Sequence, residues 1–460
     1  MIISLQENTR KRRRTLGFLL IACLIGTLMG GSLLWVARIA WTFLAIIFTL
    51  QLPYAIFAIS FFAAFFSPTG FLQSFFFTLK HFQAAAALTM AVHLLRQGFL
   101  KTFAKGLAEG WRFYPALGII GLGLLNYFIF ARHDIRALRT PLNLLSTLVI
   151  LIYFLGLLLQ QTDTQSVRLA RHSVSFFVFG CILQVGIAAG NTFFGTRFLD
   201  LNLLHNNHLG MLCASAIFLS MGAFGAARRP IQSFGFLAGS LILFSGIVLS
   251  CSRTSWFSFS AAFIFFIVVL KLNKSRLKTT IYFRRSVIPL TLVFCFLMMG
   301  FAALRDEVWT RFFNLPQLFD REYWHYVFQD KQNFGCFGIF RLNMIHKLKE
   351  IVLRQPLIGI GFTHEVMDFH GFFWTVLGGS GAAGFAMLIV FLGMLFRDGI
   401  ASLSRETETD FFFLRLGALS ALLVWILCSL METYFLQFAP WYGILALVFL
   451  LKTDEGVSRQ

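Results

Sequence analysis

Charge is scarce in this sequence: only 13% of its 460 residues are charged, and just 20 are acids. Polar surface is scarce too, because 58% of the residues are hydrophobic and apolar runs of about 20 residues recur almost end to end, each long enough to cross a bilayer. A soluble fold is therefore excluded. The seven cysteines are scattered, with Cys23, Cys181, Cys213, Cys251, Cys295 and Cys428 in or beside apolar runs and Cys336 alone in a polar stretch, so no disulfide framework follows. The histidines, His81 and His93 among them, have no metal-ligand spacing. No glycine-rich nucleotide loop or nucleophile motif appears, and the expectation is a protein without cofactor or metal. Internal repeats and low-complexity segments are also lacking.

What the sequence does have is aromatic and aliphatic bulk, including 59 phenylalanines. Lipid offers backbone groups no hydrogen-bond partner, so these runs must be helices. The expected fold is all-α, a polytopic transmembrane helix bundle. Spans are expected near residues 16–36, 40–66, 71–95, 113–131, 141–160, 173–190, 207–226, 232–250, 253–270, 286–304, 371–396, 414–431 and 434–451.

The net charge of +19 would suggest nucleic acid in a soluble protein. Here the basic residues sit in short links between apolar runs, where they report topology, and no nucleic-acid partner is expected. The strongest anchor is the link 271–285, with Lys271, Lys274, Arg276, Lys278, Arg284 and Arg285 and no acid, which should be cytoplasmic. Counting outward, Arg228 and Arg229 and the carboxyl end fall inside, while 191–206 and 305–370 fall outside. Counting back to Arg10–Arg14 gives a conflict, because thirteen spans leave that basic cluster outside. About twelve spans with both ends cytoplasmic would satisfy the rule. The suspects are 71–95, with Lys80 and His81 in its middle, and the pair before it, separated only by Arg38. The chain thus divides into transmembrane helices over 1–304, a large external loop over 305–370 and further transmembrane helices over 371–460.

The external loop carries eight of the twenty acids and many aromatics, so it should be folded and functional. Within it, residues 339–354 read as an amphipathic helix, with Met344, Ile345, Leu348, Ile351 and Val352 at helical spacing. Arg341 breaks the pattern by sharing the azimuth of Ile345, Leu348 and Val352. It either snorkels or pairs with a loop acid, or it forms an anion site. Arg253, in SRTSW, stands where one span ends and the next begins. It can neutralise the carbonyl end of the helix finishing near Ser250. It also starts the following helix, where a phosphate would satisfy Arg253, the free amides and the hydroxyls of Ser252 and Thr254 together. His370, where the loop re-enters the membrane, is either a structural hydrogen-bonder or a base that titrates near neutral pH. His364, Glu365 and Asp368 are nearby alternatives, and Gly378, Gly379, Gly381 and Gly384 read as aids to close helix packing. A polar external link with Arg197, Asp200, His205, Asn206, Asn207 and His208 can bind sugar or simply be solvated.

Three segments give the chain a resemblance to the O-antigen ligase and polymerase family of bacterial membrane proteins. They are SRTSWFSFSAAF from Ser252, FRLNMIHKLKEIVLRQPLIGIGF from Phe340, and a histidine region in which His370, Gly381 and Gly384 keep the ligase spacing. Gly371 stands where ligases carry Asn, Ser or Gln, and NNHLGMLCASA from Asn206 is a fainter echo. The resemblance implies a GT-C-like glycosyltransferase of the bacterial inner membrane with its active site facing the periplasm. It implies transfer of polysaccharide from an undecaprenyl-diphosphate-linked donor to a sugar hydroxyl of a lipid A-core acceptor, without nucleotide sugar or metal. In that chemistry Arg253 and Arg341 would stabilise the leaving diphosphate and His370 would take the acceptor proton, with Ser252, Thr254 and Arg197 as further substrate-binding candidates. Direct displacement would invert the anomeric centre. A polymerase of the same family would share the arginines and the loop. A transporter or flippase, a different class, would place its ionisable residues at mid-membrane.

Overall fold

The computed structural model describes residues 59–60, 64–65, 70–73, 78–95, 98–108, 110–130, 134–161, 163–194, 206–227, 229–250, 252–273, 339–363, 366, 371–405 and 409–431. Over these the protein is a helical bundle with one short antiparallel hairpin, β1 (Gly70–Gln73) and β2 (Thr78–Lys80). The helices are α1 (His81–Leu95), α2 (Phe99–Ala108), α3 (Tyr114–Phe130), α4 (Arg139–Leu159), α5 (Asp163–Phe194), α6 (Asn206–Gly225), α7 (Pro230–Leu249), α8 (Arg253–Leu272), α9 (Ile339–Arg354), α10 (Phe372–Arg405) and α11 (Thr409–Met431). Seven of them, α4 to α8 with α10 and α11, are long and apolar enough to cross a membrane, and α3 is a shorter apolar helix. At about 1.5 Å per residue these lengths match the hydrocarbon thickness, which is why apolar run length locates the spans. The expected spans 16–36, 286–304 and 434–451, nearly all of 40–66, and residues 305–338 of the loop lie outside the described residues.

α6 and α11 form the buried centre of the bundle. They cross where Gly222 faces Gly417: a Cβ on Gly222 would meet Phe413 O at 2.6 Å, and one on Gly417 would meet Phe218 O at 2.5 Å. Small residues let the two backbones approach in a medium where dispersion packing, and not the hydrophobic effect, holds helices together.

The order of these contacts fixes the direction of every helix. At one end Arg171 of α5 donates to Ala226 O after α6 and faces Asp410 of α11 at 3.7 Å. Lys105 of α2 donates to Leu159 O, the last carbonyl of α4, at 2.7 Å, a favourable place for a cation on the helix dipole. Arg229 before α7 and Lys271 in the last turn of α8 belong to the same end. At the opposite end lie the start of α6, the α7–α8 turn, the end of α11, the start of α10 and the end of α3.

Two spans differ from expectation. The run 71–95 is not one helix: it divides into the hairpin and α1, whose 15 residues rise only about 22 Å. Gln83 donates to Ser146 Oγ at 2.9 Å and His93 bonds Tyr153 Oη at 3.0 Å, so α1 runs parallel to α4. The span read at 173–190 is the middle of α5, which starts at Asp163 and continues to Phe194. Its first turns are polar and so carry no hydropathy signal, although nothing in them stops a helix.

Candidate functional site

The α7–α8 turn is built by serines. α7 ends at Leu249 with Ser250 as C-cap, and Ser252, in extended backbone with φ −89° and ψ 107°, is the N-cap of α8. Ser252 Oγ accepts from Ser255 N at 3.3 Å and from Ser255 Oγ at 3.0 Å, while Ser252 N donates to Ser250 Oγ at 3.2 Å. Trp256 Nε1 reaches back to Ile247 O at 3.1 Å, and Ser255 Oγ reaches Asn207 O in the first turn of α6 at 3.5 Å. The turn is buried, with Ser250, Ser252 and Ser255 all nearly inaccessible.

Ser252, a candidate anion-binding hydroxyl, is the N-cap of α8, its Oγ accepting from Ser255. Arg253 is the first helical residue, so the boundary read from sequence is correct to the residue. Because the cap satisfies the third amide, the amides of Arg253 and Thr254 are the donors such a start leaves for an outside acceptor. Thr254 is half-buried beside them. The side chain of Arg253 lies outside the described residues.

α9 has the bounds that its periodicity indicated. Leu348 and Ile351 are buried in a small separate cluster with Val366, flanked by Val352, Ile360 and Leu377, whereas His346, Lys349, Glu350 and Arg354 are exposed. Arg341 stands seven residues before Leu348, about 20° from it on the helical wheel, so its helical position is on the face that packs. Its side chain, like the whole of His370 and Arg197, lies outside the described residues.

The structure then joins two motifs that the sequence keeps apart. α10 is broken at Gly381, where φ is 64° and ψ −167°. Into the break fits the turn 356–361 that follows α9. Ile360 N donates to Gly378 O at 3.1 Å, Gly361 N to Gly379 O at 3.0 Å, Ala382 N to Pro356 O at 2.9 Å and Ala383 N to Leu357 O at 3.0 Å. Two carbonyls and two amides beside the break are thereby matched to groups on the turn, as membrane burial requires. Gly359, at φ 72°, makes the approach possible, since a Cβ there would meet Gly378 O and Gly381 N, both at 2.6 Å. Ser380 lies over Gly384, which accounts for the second glycine of the spaced pair. The glycines read as packing aids are thus the floor of a docking site for the Pro-Leu-Ile-Gly turn.

A residue that sequence reasoning passed over closes this junction. Asn126, buried in α3, donates from Nδ2 to Gly379 O at 2.9 Å and to Ile358 O. An amide inside the run GLLNYF was the available signal, because polar groups in a membrane helix are retained for a reason.

These elements meet at the end of the bundle away from Arg171 and Lys271. Cys428 of α11 contacts Ser258 of α8 at 3.3 Å, and a Cβ on Gly371 would meet Leu430 O at 2.8 Å. The end of α11 thus lies between the start of α8, at Arg253, and the start of α10, two residues after His370. Thr375 N and Oγ1 both bond Gly371 O at 3.0 Å, which anchors that first turn of α10.

Comparison with protein families finds that residues 238–383 match the model described as O-antigen ligase. The matched segment begins within α7 and includes the α7–α8 turn, α9, the docking turn and the break in α10. Arg253, Arg341 and His370 fall inside it, whereas Asn126 and Arg197 fall outside. No curated protein matches the chain.

Proposed function

We propose, taking as premise the O-antigen ligase match over 238–383, that this protein is an O-antigen ligase. It transfers polysaccharide from an undecaprenyl-diphosphate carrier to a sugar hydroxyl of lipid A-core at the periplasmic face of a bacterial inner membrane. The observation that carries the reading is the gathering of the starts of α8 and α10 with the α9 turn at the end of the bundle opposite Arg171, Arg229 and Lys271. The positive-inside rule makes that end periplasmic.

In this reading Arg253 and Arg341 bind the diphosphate with the orphan amides at the start of α8, and Thr254 lies beside them. Phe257, Ile264 and Val268 follow Arg253 along one face of α8 and all are exposed, Phe257 by 68%. That apolar face suits a donor whose lipid tail stays in the bilayer while its anionic head sits at the surface. His370 takes the proton of the acceptor hydroxyl as its oxygen attacks the anomeric carbon. The bond from that carbon to the diphosphate oxygen breaks, its electrons leave with undecaprenyl diphosphate, and the arginines meet the charge that develops. One displacement inverts the centre. Nucleotide sugar and metal have no part in the scheme, and Arg197 is assigned to the sugar side.

Reconstitution tests it. The purified chain in liposomes, given polyprenyl-diphosphate-linked polysaccharide and lipid A-core with a chelator and no nucleotide, should move polymer to lipid A-core with inverted linkage. Extension of the carrier-linked polymer would make the protein a polymerase, and passage of unreacted donor across the bilayer would make it a transporter.

A further inference from the structure

We infer that Asn126 is a positioning residue for the transfer site, locking α3, the 356–361 turn and the break in α10 into one unit; this rests on the function proposed above. No motif singles it out, and it lies more than a hundred residues before the matched segment.

The geometry leaves little freedom. Both protons of the Asn126 amide are used, one on Ile358 O in the turn and one on Gly379 O in α10. Gly379 O also accepts from Gly361 N, so both of its lone pairs are engaged. Gly361, at φ 84°, faces Asn126 closely: a Cβ there would stand 3.4 Å from the Asn126 Cβ. The amide cannot be reversed, because Oδ1 would then face two carbonyl oxygens. As placed, Oδ1 is buried without a partner, so the contacts of Nδ2 are what the residue supplies.

The pieces it joins carry the proposed reacting groups at their far ends. α9, with Arg341 in its first turn, runs through Arg354 and Gln355 directly into the turn. The first half of α10 begins two residues after His370 and ends at the break. A shift of the turn against α10 therefore moves Arg341 relative to His370. Without Asn126, Gly379 O keeps one donor while Ile358 O loses the only donor observed among the described residues. The buried carbonyl would then draw the turn away toward another partner.

The test uses the full chain in lipid nanodiscs, with hydrogen exchange and transfer measured on the same samples. Asn126→Leu should speed exchange at least tenfold at Ile360, Gly361, Ala382 and Ala383, lower kcat/KM for transfer at least tenfold, and leave the melting temperature within a few degrees of wild type. Asn126→Asp keeps the shape but turns an acceptor toward two carbonyls. Only its protonated form can donate again, so its transfer rate relative to wild type should rise as the pH is lowered. If Asn126→Leu does not accumulate, Asn126→Asp carries both measurements. Unchanged exchange in the turn, or an Asn126 variant as active as an active wild type, overturns the inference alone. A wild type inert in transfer while its turn amides are protected, and protected less in the variant, overturns the functional reading instead.

Discussion

Gly381→Ala should be the most damaging single methyl in the described part of the protein. Backbone at φ 64° and ψ −167° is almost confined to glycine, and any other residue there costs about 1–3 kcal/mol in strain. The added Cβ would also overlap the Leu357 carbonyl and stand 2.5 Å from Gly359 N, so the docked turn must move. Movement breaks several of the hydrogen bonds between the turn and α10, each of which leaves buried backbone unsatisfied at about 1–3 kcal/mol. The sum approaches the entire stability of an ordinary domain. The expected result is loss of most membrane-inserted protein, or a melting transition lowered by more than about 5 °C, together with loss of transfer. Gly121→Ala is the control: its Cβ would meet nothing within 4 Å, so yield and melting should stay near wild type. A Gly381→Ala protein as stable as that control would show that the turn does not dock in the break.

Substitution of the candidate reacting groups should leave the fold intact and remove the chemistry. Lysine keeps the charge of Arg253 and Arg341 but not the planar fork that grips two phosphate oxygens. Arg253→Lys and Arg341→Lys should each lower the reconstituted transfer rate by about 10²-fold, the usual loss when one donor to a developing anion is removed. His370→Ala should lower it by about 10²- to 10⁴-fold, the range for a general base. Protein amounts and melting should match wild type in all three. Near-normal transfer by both lysine variants would leave the arginines a structural role only.

How much of this could be read in the sequence depends on whether the cause was local. α9 was legible to the residue because its burial alternates with its own periodicity. The start of α8 at Arg253 was legible because a serine cap announces it. The extension of α5 back to Asp163 was not, since helix formation there continues through polar residues that hydropathy does not register. The break in α10 lies inside a hydrophobic run and depends on partners in the 356–361 turn, so no local pattern marks it. The glycines that permit it were noticed, but as packing aids. Asn126 was invisible for the same reason: its importance is set by two carbonyls more than 230 residues away. The division of 71–95 into hairpin and helix reflects Lys80 and His81 in an otherwise apolar run, and the parallel course of α1 beside α4 appears only through its tertiary hydrogen bonds. Among the site residues, the helical positions of Arg253 and Arg341 follow from sequence. The convergence of their side chains with His370 is part of the proposal.

The central claim, that this protein joins carrier-linked polysaccharide to lipid A-core, is tested most directly by the lipopolysaccharide of a strain lacking it. The account predicts complete lipid A-core bare of polymer while polymer accumulates on the polyprenyl carrier. A long-chain ladder intact on lipid A-core, in a strain with no second ligase, would contradict it.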